Sequence, residues 1–202
     1  MSHWPVVLEE AEAPGTLILR PLTTKDARAW RQVRSENSRW LSQWEATAPE
    51  PTDTLPTYRQ MIRSLTAQAR RGSALPFAIE VDGRFAGQLT VSGISWGSLK
   101  SASIGYWIDE RYAGRGLTPT AVAMATDYLF FSLGLHRVEI NIRPENAPSL
   151  RVVEKLGFRD EGVRVQYLHI AGDWRDHRTF ALVSDDVPGG LLNYWKRVRA
   201  TA

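Results

Sequence analysis

The sequence predicts an α/β domain whose sheet is mixed and mostly antiparallel, flanked by helices. Three observations carry that class. Leu75 to Val81 and Arg84 to Val91 read as strands joined by Asp82-Gly83, the strongest short hairpin signal. Ile104 to Ile108 is an apolar and aromatic strand that runs into a turn bearing Gly114 and Gly116, with a helix from Pro119 to about Leu133. The strand Arg137 to Arg143 follows through that helix, so it pairs in parallel with the strand before the turn, as a crossover connection requires.

The other elements follow in order. Residues 1–15 read as a frayed N-terminal extension, and Thr16 to Arg20 as a short strand ending at Pro21. Thr23 with Asp26 forms a capping box that opens a helix through Ser35. Glu36 to Pro56 carries two tryptophans, three prolines and no steady period, which predicts a binding loop with a helical turn around Trp40 and Trp44. From Thr57, the spacing of Tyr58, Met61, Ile62, Leu65 and Ala69 predicts an amphipathic helix stopped by Gly72. Ser92 to Lys100 reads as a polar loop before a strand at Ser101 to Ile108. Asn146 caps a helix from Ala147 to Leu156, and Arg159 to Ile170 and Asp173 to Val183 pair around Ala171-Gly172. One domain thus spans residues 16–183, and a Pro-Gly-Gly break introduces a basic tail over residues 188–202.

Composition narrows the function. A chain of 202 residues buries a core without staples, and the absence of cysteine removes disulfides, thiolate zinc sites and cysteine nucleophiles together. With 25 basic and 22 acidic residues the charge excess is too small to argue for nucleic acid. No apolar run reaches the length of a membrane span, so a soluble cytoplasmic protein, monomeric or homodimeric, is expected. Gly93-Ile94-Ser95-Trp96-Gly97 matches a serine-hydrolase elbow, but that motif requires a helix after the serine and here a loop and strand follow. No spacing of histidines and carboxylates suggests a metal.

The glycine turn carries the chemistry. Glycines at Gly114 and Gly116 permit positive φ and close approach to the main chain, and the helix after them aims unpaired amides and its positive dipole end at the turn. Thr118 is a candidate N-cap with Pro119 at the first helical position. Read alone, the turn is either an anion site or a plain strand-to-helix connection. Asn146 and Ser149, in the first turn of the next helix, face the same sheet edge. Asn146 supplies the cap, which leaves Ser149 without a structural reason, and Arg151 and Lys155 put two cations near the same opening.

The order of elements, the Arg111-x-x-Gly114-x-Gly116 turn, and the run Arg143-Pro144-Glu145-Asn146-Ala147-Pro148-Ser149 through Glu154-Lys155-Leu156-Gly157-Phe158 resemble the GCN5-related N-acetyltransferase (GNAT) superfamily. The stretch Tyr167 to His177 resembles its RimJ branch, which acetylates the N-terminal amine of a ribosomal protein. The resemblance implies an acetyl-CoA-dependent N-acetyltransferase with a splayed central pair of parallel strands. The pantetheine arm would lie in that splay against the backbone of Ile108, and the pyrophosphate would lie on Gly114, Arg115, Gly116, Leu117 and Thr118. Asn146, Ser149 and Lys155 would lie along the arm, with Ser149 donating to the leaving thiolate. Thr120 stands where many relatives have glutamate, and Leu168 stands where the RimL branch places a glutamate base. Glu139 is then the candidate for orienting a water toward the amine.

The implied acceptor is a primary amine: most directly a protein N-terminus, alternatively a small amine such as an antibiotic or polyamine. A CoA-binding module of weak catalysis is a further alternative. An α-amine with pKa near 8 costs about 1.4 kcal/mol to deprotonate at pH 7, against about 4.6 for lysine, so an N-terminus manages with a weak base. Trp40, Trp44 and Glu45 are expected to line the acceptor side.

Overall fold

The computed structural model describes residues 4–11, 15–50 and 56–201. The end of the predicted binding loop, residues 51–55, and parts of the predicted N-terminal extension, residues 1–3 and 12–14, lie outside them. The strands are β1 Leu8–Glu10, β2 Leu17–Pro21, β3 Leu75–Val81, β4 Arg84–Ser95, β5 Ser101–Ile108, β6 Arg137–Ile142, β7 Arg159–Ile170 and β8 Asp173–Val183. The α-helices are α1 Ala27–Glu36, α2 Ser38–Leu41, α3 Tyr58–Arg70, α4 Leu117–Asp127, α5 Ala147–Lys155 and α6 Leu191–Ala200. Among the described residues the strands form one eight-stranded sheet in the order β1-β2-β3-β4-β5-β6-β8-β7. Neighbours are antiparallel except β5 and β6.

Each face of the sheet has its own apolar cover. The main core packs Phe77, Leu89, Ile104, Val138 and Ile140 against Leu117, Ala121, Leu129, Val153 and Leu191, placing α4, α5 and α6 on one face. A smaller cluster of Leu22, Ile62 and Ala78, joined by Trp30 and Tyr58, holds α1 and α3 on the other. The expected Thr23/Asp26 capping box is formed, and α3 is opened by a second box, Thr57 with Gln60.

Four expectations change. The N-terminal stretch is not wholly frayed, because Leu8–Glu10 pairs with β2 and Trp4 packs edge-on against Phe77. The loop expected from Ser92 is strand as far as Ser95, which pairs with Ser101 across a bulge. Helix α4 starts at Leu117 rather than Pro119, because Gly116 in the left-handed region at φ +79° is its N-cap, so Thr118 is not a cap. That helix passes into a π-helical turn, Tyr128–Ser132. The basic tail is helix α6, whose Leu191 and Trp195 are buried and whose first amides, Leu191 and Leu192, are capped by Asp127 at 2.6 and 3.0 Å.

The last point that positions the site is a departure in the sheet. β5 and β6 pair only at Ser101/Arg137, Ala102/Val138 and Ser103/Glu139. β5 runs on to Ile108 against β4, and β6 runs on to Ile142 against β8. Their facing edges therefore part, and a wedge opens in the middle of the sheet.

Candidate active site

Strand geometry decides which backbone groups face the wedge. Asp109 N donates to Ala86 O of β4, so the alternate residues Ile108 and Tyr106 turn their N–H and C=O groups the other way. The carbonyl of Ile108 confirms it by accepting a 3.2 Å bond from Trp40 Nε1, on the side away from β4. At the mouth stands the turn. Arg111 does not reach for a ligand but holds the turn, bonding both oxygens of the buried Asp109 and pairing with Glu36 at 3.1 Å. Burial pushes the Asp109 carboxyl up, but the Arg111 guanidinium outweighs it and keeps the group below the usual carboxylate range. Asn37, which sequence reasoning missed, is buried and accepts from Glu110 N at 2.9 Å.

A cleft of about 450 Å³ runs from this turn to the acceptor-side loop. It brings together Ile108, Gly114, Gly116, Leu117, Thr118, Asn146, Ser149 and Lys155 from one end and Trp40, Trp44 and Glu45 from the other. Arg115 does not line it; its guanidinium lies 5.5 Å from the Tyr112 ring. With Gly116 as N-cap and Pro119 lacking an N–H, the amides of Leu117 and Thr118 are the first-turn donors with no partner in their own helix.

Asn146 Oδ1 accepts from Ser149 N at 3.2 Å, so the cap is real and the serine hydroxyl is left for the cleft. Tyr106, not foreseen as a site residue, shares that wall. Its hydroxyl is buried without a well-formed hydrogen bond and lies beside Ser149; burial holds its pKa well above the usual phenol range. An orphaned buried hydroxyl at the wedge fits a site completed by an incoming polar group.

A smaller cavity of about 250 Å³ passes through the gap between the strands. It shares Trp44, Tyr106, Asn146 and Ser149 with the cleft and adds Ile140, Asn141, Leu168 and His177. Leu168, the position expected to carry a base in one branch of the resemblance, thus does face the gap as an apolar residue. Glu139 lines neither cavity. It stands at the last paired position of the wedge with one oxygen on Arg137 at 2.9 Å and the other on Arg164 at 2.8 Å. Those two ion pairs occupy it, and the water-orienting role expected of it finds no geometric support.

The loop after α1 straps the open side. Trp40 holds it to β5, Arg143 Nη1 holds it from just beyond the end of β6 by bonding Gln43 O at 3.0 Å, and Thr47 N holds it to β7 through His169 O at 2.9 Å. Glu45 pairs with Arg34 at 2.6 Å, and Arg34 stacks 4.6 Å from the Trp30 ring. Ser95, the serine of the rejected hydrolase motif, sits at the end of β4 with no helix after it.

Two parallel strands that part to expose main-chain donors, with a helix N-terminus at the mouth of the gap, define an enzyme that takes acyl groups from acetyl-CoA. Residues 16–159 match the family described as "Acetyltransferase (GNAT) domain", and the chain belongs to that family of N-acetyltransferases. Among solved structures it is similar to Mycobacterium smegmatis RimJ in complex with CoA-disulfide, at 36% identity and a TM-score of 0.90, over 97% of this chain and 96% of that one. It is 32% identical to the probable N-acetyltransferase YjcK of Bacillus subtilis, over 85% of this chain and 96% of that protein. It is 29% identical to the [ribosomal protein uS5]-alanine N-acetyltransferase of Escherichia coli, over 86% and 91%. Among the described residues no helix is long and apolar enough to cross a membrane.

Proposed function

We propose that the chain moves acetyl from acetyl-CoA to the N-terminal α-amine of a protein, a ribosomal protein being the nearest class of acceptor by its relatives. The observation that carries this reading is the charge of the site. Among the described residues lining the cleft, the charged ones are Arg34, Glu45, Arg151 and Lys155, and the single carboxylate is already paired with Arg34. With Glu45 spent on Arg34 and the two other cations at the CoA end, a polyamine or a multiply aminated antibiotic would find no spare carboxylate for its further amines in the cleft, whereas a protein N-terminus brings one amine and an uncharged backbone. The exposed apolar side chains of Val165, Tyr167, Leu168 and Trp174 along the β7–β8 hairpin provide a rim suited to a polypeptide.

Acetyl-CoA supplies the acetyl group as a thioester. The amides of Leu117 and Thr118, with Gly114 and Gly116 at the turn, hold the diphosphate, and Arg151 and Lys155 add charge along the cleft. Ile108 and Tyr106 offer main-chain groups to the pantetheine arm and polarise the thioester carbonyl. Ser149, fixed by the Asn146 cap, donates to the sulfur as it leaves.

The test is a mass-spectrometric acceptor screen with acetyl-CoA against peptides with free α-amines, the same peptides with blocked N-termini and an internal lysine, and polyamines. Acetylation of the free α-amine alone is expected. Preferential acetylation of polyamines would overturn the acceptor class, and acetylation of none would overturn the function.

A further inference from the structure

His177 is a buried titratable group that the steps above leave unused, and its surroundings are specific. It lies on β8 two residues from Thr179, whose hydroxyl donates to Asn141 Oδ1 at 2.8 Å, so His177, Thr179 and Asn141 share one face of the sheet. Ser103 pairs with Glu139 in parallel, which puts Gly105 and Trp107, two and four residues on, on that same face. This is the face under the acceptor loop, where Trp107 meets Arg34. Tyr106 and Ser149 belong to the opposite face, with α5 and the main core. The smaller cavity passes between the strands from one face to the other, touching Tyr106 and Ser149 on one side and His177 and Asn141 on the other.

The ring's protonation is set by its partner. Nδ1 lies 3.1 Å from the backbone carbonyl of Arg175, which can only accept, so Nδ1 carries the proton. Nε2 is then a bare lone pair, with no hydrogen-bond partner among the described residues.

We propose that His177 is the general base of the transfer, taking the proton from the acceptor amine through Nε2 on the face of the sheet opposite the thiol leaving group. The assignment rests on the function proposed above. The α-amine first sheds one proton to solvent, and its lone pair attacks the thioester carbon. As the N–C bond forms, the remaining excess proton on nitrogen passes to Nε2. The C–S bond breaks, and the thiolate takes a proton from the Ser149 side, which water replaces. His177 then returns its proton to bulk solvent. The groups around it tilt the balance toward the neutral ring: burial and Arg143 lower its pKa, Glu145, Asp176 and the Arg175 carbonyl raise it, and the net shift is downward. The Tyr167 ring, 5.5 Å away edge-on, adds no charge.

The test uses the full chain, acetyl-CoA and a free-α-amine peptide, comparing wild type with His177→Asn, which keeps a side-chain donor for Arg175 O, and with His177→Gln. CoA affinity by calorimetry checks that each variant is folded. The expected result is a fall in kcat of about 10²-fold with unchanged CoA affinity. The second readout is the pH profile. Log kcat/KM of wild type should rise with slope 2 below the imidazole pKa, where both amine and ring must lose a proton, and slope 1 above it. In the variants the slope should be 1 throughout. Variants within threefold of wild type, a loss of rate with the slope of 2 retained, or loss of CoA binding in both variants would overturn the base and leave the function standing. A wild type that acetylates no amine would remove the function, and the base with it.

Discussion

The indole Nε1 of Trp195 donates to Thr120 Oγ1 at 2.9 Å, and that hydroxyl donates onward to the Gly116 carbonyl at 2.9 Å. Helix α6 is thereby tied to the first turn of α4, the turn proposed above to hold the diphosphate. The threonine that departs from a common glutamate is buried and serves as the relay. Gly116 is also closed in from this side, since a Cβ there would lie 3.4 Å from Trp195 Cζ2.

Replacing Thr120 by valine removes both bonds and leaves a buried indole N–H without a partner. The expected cost is about 2 kcal/mol, or ~4–8 °C in Tm, together with a raised KM for acetyl-CoA and little change in acceptor KM. Thermal unfolding and two-substrate kinetics check this. An unchanged KM for acetyl-CoA would show that α6 supports the fold but not the turn.

The two tryptophans of the strap divide by partner. Trp40 bonds the Ile108 carbonyl of β5, the strand proposed to meet the pantetheine arm, whereas Trp44 stacks 5.4 Å from the Arg143 guanidinium and borders both cavities. Trp44→Ala should raise acceptor KM by about tenfold and leave CoA affinity within twofold. Trp40→Phe keeps the ring and loses one neutral hydrogen bond, so CoA affinity and acceptor KM should both shift, by about fivefold. Equal effects of the two substitutions on CoA binding would remove the distinction.

Local chemistry explains which features were legible in the sequence. The Asp82-Gly83 hairpin, the Thr23/Asp26 box and the Asn146 cap are decided by residues a few positions apart, and each forms as expected. Contacts between distant segments were not legible. Glu139 reads as an alternating strand residue, and only the fold brings Arg164 from 25 residues away to neutralise it. Tyr106 and His177 look like ordinary strand residues until the parting of β5 and β6 opens a gap between them. Helix α4 starts two residues before the position that Pro119 suggests, because Gly116, a glycine able to take φ +79° without strain, makes the cap.

Glu139 gives a contrasting prediction to His177. Its carboxylate joins Arg137 and Arg164 at the closed end of the wedge, with the side chain 19% exposed. Glu139→Gln should cost about 1 kcal/mol of stability and leave the shape of the kcat/KM–pH profile unchanged. A lost basic or acidic limb in that variant would return Glu139 to the proton-transfer path.

Asp26 should contribute to stability against acid. Its carboxylate receives the Arg20 guanidinium at 2.8 and 3.1 Å and the Thr23 amide at 2.8 Å, at a side chain only 9% exposed. Burial alone would push its pKa up, but the Arg20 and Thr23 bonds outweigh it and hold the group below the usual carboxylate range. Because the unfolded chain then binds the proton more readily, the stabilisation is complete above the unfolded pKa and is lost as pH falls through the lower native one. Asp26→Asn removes the charge at every pH, so it should cost about 2 kcal/mol at pH 7, with Arg20 still held by Glu80 at 2.7 Å. The gap between the two proteins in denaturant midpoint should stay constant down to about pH 4 and narrow below it. Wild-type and variant midpoints that run parallel down to pH 2 would mean that the carboxyl titrates alike in the folded and unfolded chain, and the Arg20 pair would then carry none of the acid sensitivity.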